Sequence, residues 1–557
     1  MILLAYTPPL GGQDDAWLSR IPIGLGTINA VLRQNGFESE IVRFIDWEEE
    51  PAPEQVAHLD PKVLGLSVYT FNRHESFALA RTMKEAFPEL TVVAGGPHAT
   101  ALAETILERE PAIDAIVLGE GEMTMLELAQ MLESGRDLTS VAGLVVRVGD
   151  EIIRTAERSP IGDLDALPLA SEFYSSEFVN PREELWAFAT ARGCPENCRF
   201  CCSPEFWGRR VRFRSPENVI EEMRRVRDMY GLLHFNIRDD TFGLKREWAV
   251  EFCRRIIEEP FYITWECQSR VDCMDEELLL TMRRAGCLAV QYGIETGSPR
   301  LLKYLGKRLD IEQALQVAEA TRRVGIELSV FLIGAIPGET KDDRDRTLDL
   351  ITRMGVQSAI TSPLAVYSGT ALCEAYKAEG WDSDDFWWES DSAAYFPAGE
   401  RKTAEQLEEL ASKADEIAEM NAYTEEKLKA QQAVVGECFP IMLDAAMRAA
   451  ESGDGSVAAA CGVRLLEMDP DNYFGFLAIS QGELMRENYK IALKAADRFL
   501  EELPNNAPML ALRAATLKHL NRYEEALSAW ELVLQADPSN EEAISELMKG
   551  GLHLFGD

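Results

Sequence analysis

The sequence predicts an α/β protein: a Rossmann-like domain, then a partial (β/α)6 TIM-type barrel, then an α-helical repeat domain. Two observations predict the α/β part. Short apolar runs alternate with amphipathic stretches to about residue 395, a pattern typical of parallel sheets, and glycine or polar residues follow the predicted strands. A third observation predicts the last part: beyond residue 400 the composition is helical, and Pro470, Pro504 and Pro538 recur at a fixed step.

These patterns divide the chain into five segments. Residues 1–140 form the Rossmann-like domain, 141–185 a linker, and 186–395 the barrel. Residues 396–450 form a helical connector, and 451–557 form the repeats. The length of 557 residues is compatible with several domains, each with a core of its own.

Composition excludes some classes of function. The net charge is -38, with 94 acidic against 56 basic residues, which argues against nucleic-acid binding because phosphates need a basic footprint. The 11 cysteines show no secreted-type framework and suit a reducing compartment. The chain opens without a basic leader, and no apolar run reaches the ~18 residues of a membrane span. We therefore expect a cytoplasmic protein with neither a nucleic-acid nor a membrane partner.

The first domain is predicted to be a parallel sheet with a ligand crevice. The predicted strands are residues 2–6, 37–44, 63–69, 91–94 and 114–118, with helices at 23–34, 74–87 and 122–132. Glycine-rich turns follow the last two strands, at 95–100 and 119–122, where open α/β sheets bind ligands. Neither G-x-G-x-x-G nor a Walker loop occurs, so the turns indicate either another ligand or a domain that binds nothing.

The most specific motif is C-x3-C-x2-C, formed by Cys194, Cys198 and Cys201. One loop with this spacing can place three thiolates around a 4Fe–4S cluster and leave the fourth iron open to a ligand. The alternatives are a zinc knuckle or a disulfide loop, but no Cys or His at zinc-finger spacing follows. Cys202 adjoins the third ligand, and its thiol is expected to pack rather than to bind iron.

These motifs, in this order, resemble the cobalamin-binding radical S-adenosylmethionine enzymes over roughly residues 1–400. The resemblance implies that the methionyl group of S-adenosylmethionine chelates the open iron and that the Rossmann-like domain holds cobalamin. The segments it assigns to cobalamin contain Thr7, Pro8, Gly24, Gly26, Ser67, Tyr69, Thr70, Gly95, Gly96, His98, Gly119, Glu120 and Gly121.

One departure concerns the cobalt ligand. Many cobalamin domains carry D-x-H-x-x-G after the first strand, but residues 7–12 read Thr-Pro-Pro-Leu-Gly-Gly. We therefore expect cobalamin without a histidine lower ligand, which changes how the metal gives up a methyl group. His98 is the other candidate in these loops, and it either lines the nucleotide tail or simply packs.

The barrel has predicted strands at 186–190, 232–238, 263–268, 288–292 and 327–333, and polar residues follow them at the rim that carries active sites. The resemblance places Phe200 and the turn at Gly334 against the adenine, and Asp239 or Asp240 against the methionyl amine. Gln268 and Arg270 are candidates for the ribose or the methionyl carboxylate. Glu295 is placed where a carboxylate accepts both ribose hydroxyls.

Several of these residues also have a purely structural interpretation. Asp239 or Asp240 can cap a helix, and Arg270 can be a solvated rim charge. The glycines of the turn that begins at Gly334 can simply shape the backbone.

The carboxyl-terminal segment is predicted to be helical throughout. Residues 403–429 lack Pro and Gly and predict one long amphipathic helix. Pro470, Pro504 and Pro538 lie 34 residues apart, which matches tetratricopeptide repeats. Such repeats either present a groove to a protein partner or pack on the barrel as a structural extension.

Three hypotheses for function follow. The first is methylation of an unactivated carbon by a 5′-deoxyadenosyl radical and methylcobalamin, on a small-molecule or a carrier- or peptide-bound substrate, with an external electron donor of the flavodoxin or ferredoxin type. The second keeps the cofactors but ends in oxidative cyclisation, rearrangement or a non-radical use of S-adenosylmethionine. The third is a cobalamin-binding sensor or scaffold. The aromatic residues Trp381, Phe386, Trp387, Trp388 and Tyr395 either line a substrate pocket or fill core.

Overall fold

The computed structural model describes residues 1–9, 18–45, 51–174, 178–259, 261–381, 383–392, 394, 400–421 and 424–554. It contains an amino-terminal α/β domain, a second parallel sheet surrounded by helices, and a carboxyl-terminal region made of helices. The predicted fold class is confirmed.

A seven-stranded sheet forms the first domain, in the order β2-β1-β3-β4-β5-β6-β7, with the first five strands parallel. The strands are β1 (Ile2–Tyr6), β2 (Ser39–Arg43), β3 (Val63–Ser67), β4 (Thr91–Gly95), β5 (Ala115–Val117), β6 (Leu144–Val148) and β7 (Glu151–Arg154). The helices are α1 (Ile23–Gln34), α2 (Ala52–Val56), α3 (Arg73–Ala86), α4 (Pro97–Ala101), α5 (Ala103–Arg109) and α6 (Glu122–Glu133). The strand order reverses between β1 and β3, and ligands bind at such a switch point.

The predicted linker at 141–185 needs a correction. Its first part is the hairpin β6–β7, which continues the first sheet antiparallel to β5. Gly149 supplies the positive φ of 60° that its tight turn requires. Because β6 buries Leu144, Val145 and Val146 against this domain, the domain extends beyond residue 140.

Six parallel strands form the barrel sheet, in the order β15-β14-β13-β12-β11-β8. They are β8 (Ala187–Phe188), β11 (His234–Ile237), β12 (Thr264–Ser269), β13 (Cys287–Glu295), β14 (Glu327–Gly334) and β15 (Ser358–Pro363). A ribbon of β9 (Ala191–Arg192) and β10 (Arg212–Phe213) flanks the cysteine motif. The helices are α7 (Pro181–Glu184), α8 (Ser203–Trp207), α9 (Pro216–Tyr230), α10 (Arg246–Glu258), α11 (Glu276–Arg284), α12 (Pro299–Leu305), α13 (Ile311–Arg323), α14 (Lys341–Met354), α15 (Ala371–Ala378) and α16 (Ser383–Glu389).

The segment after the barrel packs on the first domain. Trp387 is fully buried in that domain's core, and the Arg73 guanidinium donates a 2.8 Å hydrogen bond to its carbonyl oxygen. Trp381, Phe386 and Trp388 pack against the same core. These aromatic side chains therefore join the two domains, and Tyr395 lies outside the described residues.

The remaining helices are α17 (Glu400–Met420), α18 (Glu425–Val435), α19 (Phe439–Glu451), α20 (Gly455–Met468), α21 (Tyr473–Met485), α22 (Tyr489–Glu502), α23 (Ala507–His519), α24 (Tyr523–Ala536) and α25 (Glu541–Leu554). The single helix predicted at 403–429 is wrong, because α17 ends at Met420 and α18 begins at Glu425. Thr424 caps α18 by accepting a 3.3 Å hydrogen bond from the Lys427 amide.

The helical region lies against the amino ends of the barrel strands. Asn506 donates a 2.7 Å hydrogen bond to the Gly231 carbonyl just before β11, and the Tyr473 hydroxyl donates to the Tyr262 carbonyl before β12. A Cβ on Gly286, before β13, would approach Phe439 to 3.3 Å. This end is opposite the rim where the cysteine motif lies. Among the described helices, none is long and apolar enough to cross a membrane.

Candidate cofactor and active site

The cysteine loop is held at the carboxyl rim of the barrel by its backbone. It begins after β9 at Gly193, whose φ is 101° and whose Cβ would come within 2.8 Å of the Arg210 carbonyl oxygen. The Arg199 amide donates to the Leu305 carbonyl at 2.8 Å, and the Arg199 carbonyl accepts from Leu372 at 2.9 Å. The loop is thus fixed between the end of α12 and the start of α15.

The three predicted ligands are free thiols on this loop. Cys194 is buried, and Cys198 and Cys201 are half-buried. Burial raises the pKa of the Cys198 thiol and raises that of Cys201 to about 12, so iron must displace protons when it binds. No three His, Cys, Asp or Glu side chains in the described ranges converge on a single metal ion. A four-iron cube takes one sulfur on each of three irons, so three separated thiols on one loop fit it.

Cys202 is half-buried, like its neighbour Cys201. Burial raises the pKa of its thiol to about 11. The same thiol influences the Tyr69 hydroxyl, whose pKa is raised to about 12 by burial first and by Cys202 second. Cys202 therefore lies at the boundary with the first domain, as expected for a packed thiol.

The two aspartates after β11 differ in role. Asp239 is buried and accepts hydrogen bonds from the Thr190 amide at 2.6 Å, the Ala191 amide at 2.9 Å and the Thr190 hydroxyl. Its oxygens are used to tie β11 to the strand that delivers Cys194, although burial still raises its pKa to about 6. Asp240 accepts from the Ser203 hydroxyl and lines a large cavity, so it is the better placed of the pair for a ligand.

Arg270 is buried and paired rather than solvated. Its guanidinium donates to both oxygens of Asp272, at 2.8 and 2.6 Å, and lies 3.3 Å from Glu196 within the cysteine loop. Gln268, two residues earlier on β12, is half-buried, and its carbonyl accepts from the Phe242 amide at 2.9 Å. Arg270 therefore stabilises the cysteine loop through its contact with Glu196.

Glu295 lies at the end of β13 in an unusual backbone conformation. Its φ is 64°, and the register with β14 shifts between Gly293 and Glu295, which re-aims the side chain. Its Oε1 accepts a 3.0 Å hydrogen bond from Lys307, and both side chains are less than a tenth exposed. Burial alone would lower the Lys307 pKa, but Glu295 and Cys198 raise it. Lys307 thus joins the carboxylate to the cysteine loop.

Lys307 was missed by sequence reasoning. It follows α12 by two residues, and no motif marks it. The one local signal is Gly293, since a Cβ there would meet both Glu295 Oε1 and Lys307 Nζ at 2.7 Å.

Phe200 and Gly334 have packing roles. Phe200 is half-buried and packs against the apolar cluster that contains Leu301, Leu305 and Ile336. A Cβ on Gly334 would approach Leu407 of α17 to 2.8 Å, so this glycine admits the helix. Gly334 is therefore needed for close helix packing, while the positive φ angles of this turn lie at Ala335 and Gly338.

Two adjoining cavities lie at the switch point of the first domain. The smaller, of about 690 Å³, is lined by the loops after β3, β4 and β5. The larger, of about 1320 Å³ including its open mouth, lies between this domain and the barrel and reaches Arg192 and Asp240. Gly24 and Tyr69 line both cavities.

Nine of the thirteen cobalamin candidates line these cavities: Gly24, Gly26, Ser67, Tyr69, Gly95, Gly96, Gly119, Glu120 and Gly121. Thr7, Pro8, Thr70 and His98 are buried elsewhere. The Thr7 carbonyl accepts from Asn72 at 2.9 Å. In the segment compared with D-x-H-x-x-G, three residues lie outside the described residues: Leu10, Gly11 and Gly12.

His98 is enclosed by protein. It is 2% exposed, its Nδ1 lies 3.1 Å from the Thr70 hydroxyl, and its ring meets Trp387 edge-on at 5.7 Å. Burial, with Arg73 and His74, lowers its pKa to about 3, so the ring is neutral. This environment corresponds to the packing alternative.

A buried ion network joins the first domain to the cysteine loop. Arg192, directly before Gly193, donates to Glu120 at 3.0 Å and to Glu122 at 2.6 Å. Arg212 donates to Glu120 at 2.7 Å. Although burial opposes it, Arg192 holds the pKa of Glu122 below its usual value. Glu120, expected at the cobalamin, therefore also positions the loop, a role that spacing could not reveal.

The donor set and the cavities fit the predicted cofactors, and known proteins share the arrangement. The B12 binding domain family matches residues 19–129, and the radical SAM superfamily matches 189–351. An uncharacterized methyltransferase of Pyrococcus horikoshii is 31% identical over 365 residues, 63% of this chain and 78% of that protein. The anaerobic magnesium-protoporphyrin IX monomethyl ester cyclase of Rubrivivax gelatinosus is 30% identical over 313 residues, 54% of this chain and 56% of the cyclase.

A solved structure shares the fold. The radical S-adenosylmethionine methyltransferase TsrM from Kitasatospora setae, with cobalamin and a 4Fe–4S cluster bound, aligns with a TM-score of 0.56 at 21% identity. The alignment covers 67% of this chain and 76% of TsrM. The chain therefore belongs to the radical S-adenosylmethionine superfamily, among the members with a B12-binding domain, and is an enzyme whose cofactors are a 4Fe–4S cluster, S-adenosylmethionine and cobalamin.

Proposed function

We propose that this enzyme methylates an unactivated carbon of a small-molecule or carrier-bound substrate. When bound, the cluster with S-adenosylmethionine supplies a 5′-deoxyadenosyl radical for hydrogen abstraction, and cobalamin supplies the methyl group. An sp3 carbon is no nucleophile, so polar methyl transfer cannot reach it. The chain's own contribution is to hold these groups and the substrate within reach of one another.

The observation that carries the proposal is that the two cavities adjoin and share Gly24, Tyr69 and Trp207 in their linings. The smaller one begins among the glycine-rich loops Gly95–Gly96 and Gly119–Gly121, and the larger one ends at Arg192 and Asp240 beside the cysteine loop. A Cβ on Gly119 would come no closer than 3.8 Å to the described part of the protein, so this glycine leaves room for a ligand to approach the backbone. A substrate in the larger cavity would lie between the cobalamin loops and the cysteine loop.

Individual side chains are assigned roles from their geometry. Asp240 would accept the methionyl ammonium, because Asp239 is committed to Thr190 and Ala191. Glu295 would reach the ribose with Oε2, since Lys307 already holds Oε1. Gln268 lies near the end of β12 and Arg270 directly after the strand, and Arg270 would act by positioning the loop through Glu196. Tyr69 lines both cavities, and no histidine is among the described residues that line them, which supports a cobalt without a histidine ligand.

The competing outcome is oxidative cyclisation, which the similarity to the magnesium-protoporphyrin ester cyclase favours. Anaerobic turnover with methyl-labelled S-adenosylmethionine separates the two. We expect the product to gain one labelled methyl group, whereas an unlabelled product that has lost hydrogens would overturn methylation. The variant with Cys194, Cys198 and Cys201 replaced by Ala is the control, and it should contain no cluster iron and give neither product.

A sensor or scaffold role predicts no cleavage of S-adenosylmethionine by the reconstituted protein. The intact thiol triad, together with the paired Glu295 and Lys307 beside it, supports catalysis instead. We also assign the enzyme to the cytoplasm, in keeping with a cysteine pattern that has no secreted-type framework. There an external one-electron donor would reduce the cluster.

A further inference from the structure

The surface around the cysteine loop differs in charge from the rest of the molecule. The whole chain carries 94 acidic and 56 basic residues. Residues 192–214 and 299–308, which enclose the cysteine loop, together hold ten Arg or Lys and two Glu. In so acidic a chain, a region of net positive charge around the cysteine loop requires an explanation.

Part of this positive charge is used internally. Arg192 and Arg212 pair with Glu120, Arg214 pairs with Glu222 at 2.6 Å, and Lys307 pairs with Glu295. Arg199 and Arg300 donate to neighbouring groups, the first to the Tyr304 carbonyl at 3.0 Å and the second to Asp343. These six cations therefore have structural partners.

Four cations remain at the surface: Arg209, Arg210, Lys303 and Arg308, which we call the basic rim. The side chains of Arg209 and Arg308 are 53% and 77% exposed. Arg210 and Lys303 are also exposed, and no ion pair to either is found within the described part of the chain. Arg209 lies 3.8 Å from Glu205 and Arg308 is paired with Glu196, so Arg210 and Lys303 carry the rim charge that no ion pair of the described residues explains.

The basic rim is contiguous with the cysteine loop. Arg209 donates to the Glu196 carbonyl at 3.0 Å, and Arg308 donates to the Glu196 carboxylate at 2.6 Å. Glu196 stands between Cys194 and Cys198, and its neighbours Pro195 and Asn197 are exposed. The loop therefore reaches the surface within the rim.

An open groove leads inward from the rim. It measures about 980 Å³ and is lined by Lys303, Arg308 and Lys307, whose ammonium lies 3.0 Å from Glu295. Two acidic residues also line it. Asp272 is neutralised by Arg270, and Asp310 caps α13 by accepting from the Gln313 amide at 3.0 Å. The groove thus carries three basic against two acidic side chains, and Gly306, beside Lys307, packs against Asn197 and Arg199 of the cysteine loop.

We infer that the basic rim is the docking surface for a small acidic one-electron carrier protein that reduces the cluster. This inference rests on the proposed function. A chain of charge -38 repels an acidic protein, so a productive encounter needs a local surface of opposite sign. In the transfer step the carrier loses one electron and the cluster gains it, and no bond is made or broken.

The test compares two charge reversals of equal size in the holoenzyme. The rim variant is Arg210→Glu/Lys303→Glu. Its matched control is Lys490→Glu/Lys494→Glu, on the exposed face of α22 at the other end of the barrel. The probe is a bacterial flavodoxin, used oxidised for binding and reduced for stopped-flow electron transfer.

At low ionic strength the rim variant should lose at least about tenfold in affinity and in the second-order rate of reduction, and the control less than about twofold. At about 1 M salt, where the Debye length is about 3 Å, the two variants should converge. Equal affinity of rim and control variants at low salt would overturn the inference.

Two further experiments distinguish a failure of the docking inference from a failure of the proposed function. Dithionite, a small reductant, should drive S-adenosylmethionine cleavage equally in the wild type and both variants. If dithionite fails even with the wild type, the proposed chemistry is wrong, while binding of oxidised flavodoxin still tests the rim. If the rim variant alone loses cluster iron, the variant Arg210→Gln/Lys303→Gln is tested in its place. Flavodoxin affinity equal to that of the wild type in this variant would refute docking at the rim.

Discussion

At Glu295 a strained backbone, a register shift and a distant cation together fix one carboxylate beside the cysteine loop. The residue has a φ of 64°, and its partner Lys307 is almost fully buried. Removing one member of a buried pair leaves the other charge uncompensated, which costs about 3 to 5 kcal/mol. Lys307→Met should therefore lower the free energy of unfolding of the cofactor-free protein by that amount, measured in urea, and weaken S-adenosylmethionine binding to the reconstituted protein.

The double variant Glu295→Gln/Lys307→Met is the control for this prediction. It removes both charges of the pair, so most of the lost stability should return while S-adenosylmethionine affinity stays low. A Lys307→Met protein as stable as the wild type would contradict the pairing.

His98 allows a prediction about pH. Its pKa is near 3 in the folded protein because it is buried, against an ordinary value near 6.5. Between these values the unfolded chain binds a proton that the folded chain does not, so stability is complete above pH 6.5 and falls as the pH falls. At pH 5 the loss from this group is about 2 kcal/mol.

The measurement is urea unfolding of the cofactor-free protein at pH 7 and pH 5. His98→Gln should lose about 2 kcal/mol less than the wild type over this interval. Cob(II)alamin spectra of both proteins should lack splitting from an axial nitrogen. Such splitting in the wild type, lost in His98→Gln, would show instead that the ring reaches cobalt.

At the scale of secondary-structure elements, two glycines distinguish a role in cobalamin binding from a role in folding. One lies in the first turn of α1 and the other in the β4–α4 loop. Gly24 has nothing within 4 Å of its missing Cβ and lines both cavities, whereas a Cβ on Gly96 would lie 2.8 Å from the Val68 carbonyl oxygen at a φ of 93°. Gly24→Leu should reduce cobalamin affinity at least about tenfold with little change in stability. Gly96→Ala should destabilise the domain by about 1 to 3 kcal/mol.

Cobalamin titration and urea unfolding of the two glycine variants check this contrast. The expected result is one variant that is stable but binds poorly and another that is unstable. Full cobalamin binding by Gly24→Leu would show that these two cavities are not the cobalamin site.

Local signals allowed most elements to be predicted, and non-local contacts explain what was missed. Helix α1 matches its predicted bounds of Ile23–Gln34, because Asn35-Gly36 ends it within the sequence. The hairpin β6–β7 was assigned to a linker, since its pairing with β5 depends on a strand about thirty residues earlier. The Glu295–Lys307 and Arg192–Glu122 pairs join separate elements, and no local pattern encodes them.

In the whole molecule the two ends of the barrel have different roles. The cysteine loop and the cavities lie at the carboxyl ends of the strands, and the last helices cover the amino ends. These helices begin at Tyr473, Ala507 and Glu541, at a constant step of 34 residues, which supports the tetratricopeptide interpretation. Their position favours the packing alternative over delivery of a substrate, because the reaction would occur on the opposite side.

This arrangement leads to different outcomes for two truncations. A chain ending at residue 450 would expose Gly231 and Tyr262, which contact Asn506 and Tyr473, and should lose most bound iron and cobalamin through unfolding. A chain ending at residue 540 lacks α25 alone and should keep both cofactors. Metal analysis and cobalamin absorbance of the purified proteins measure the difference.

Point variants at the same interface test the cause without removing a domain. Asn506→Ala loses the buried bond to the Gly231 carbonyl and the 2.9 Å bond that caps α23 at Met509, which should cost about 1 to 3 kcal/mol. Asn505→Ala loses one exposed bond to the Met229 carbonyl, and its cost should stay below about 0.5 kcal/mol. If the chain ending at residue 450 retained both cofactors and Asn506→Ala matched Asn505→Ala in stability, the helices would be dispensable to the barrel, and a partner-binding role would become the better explanation for their presence.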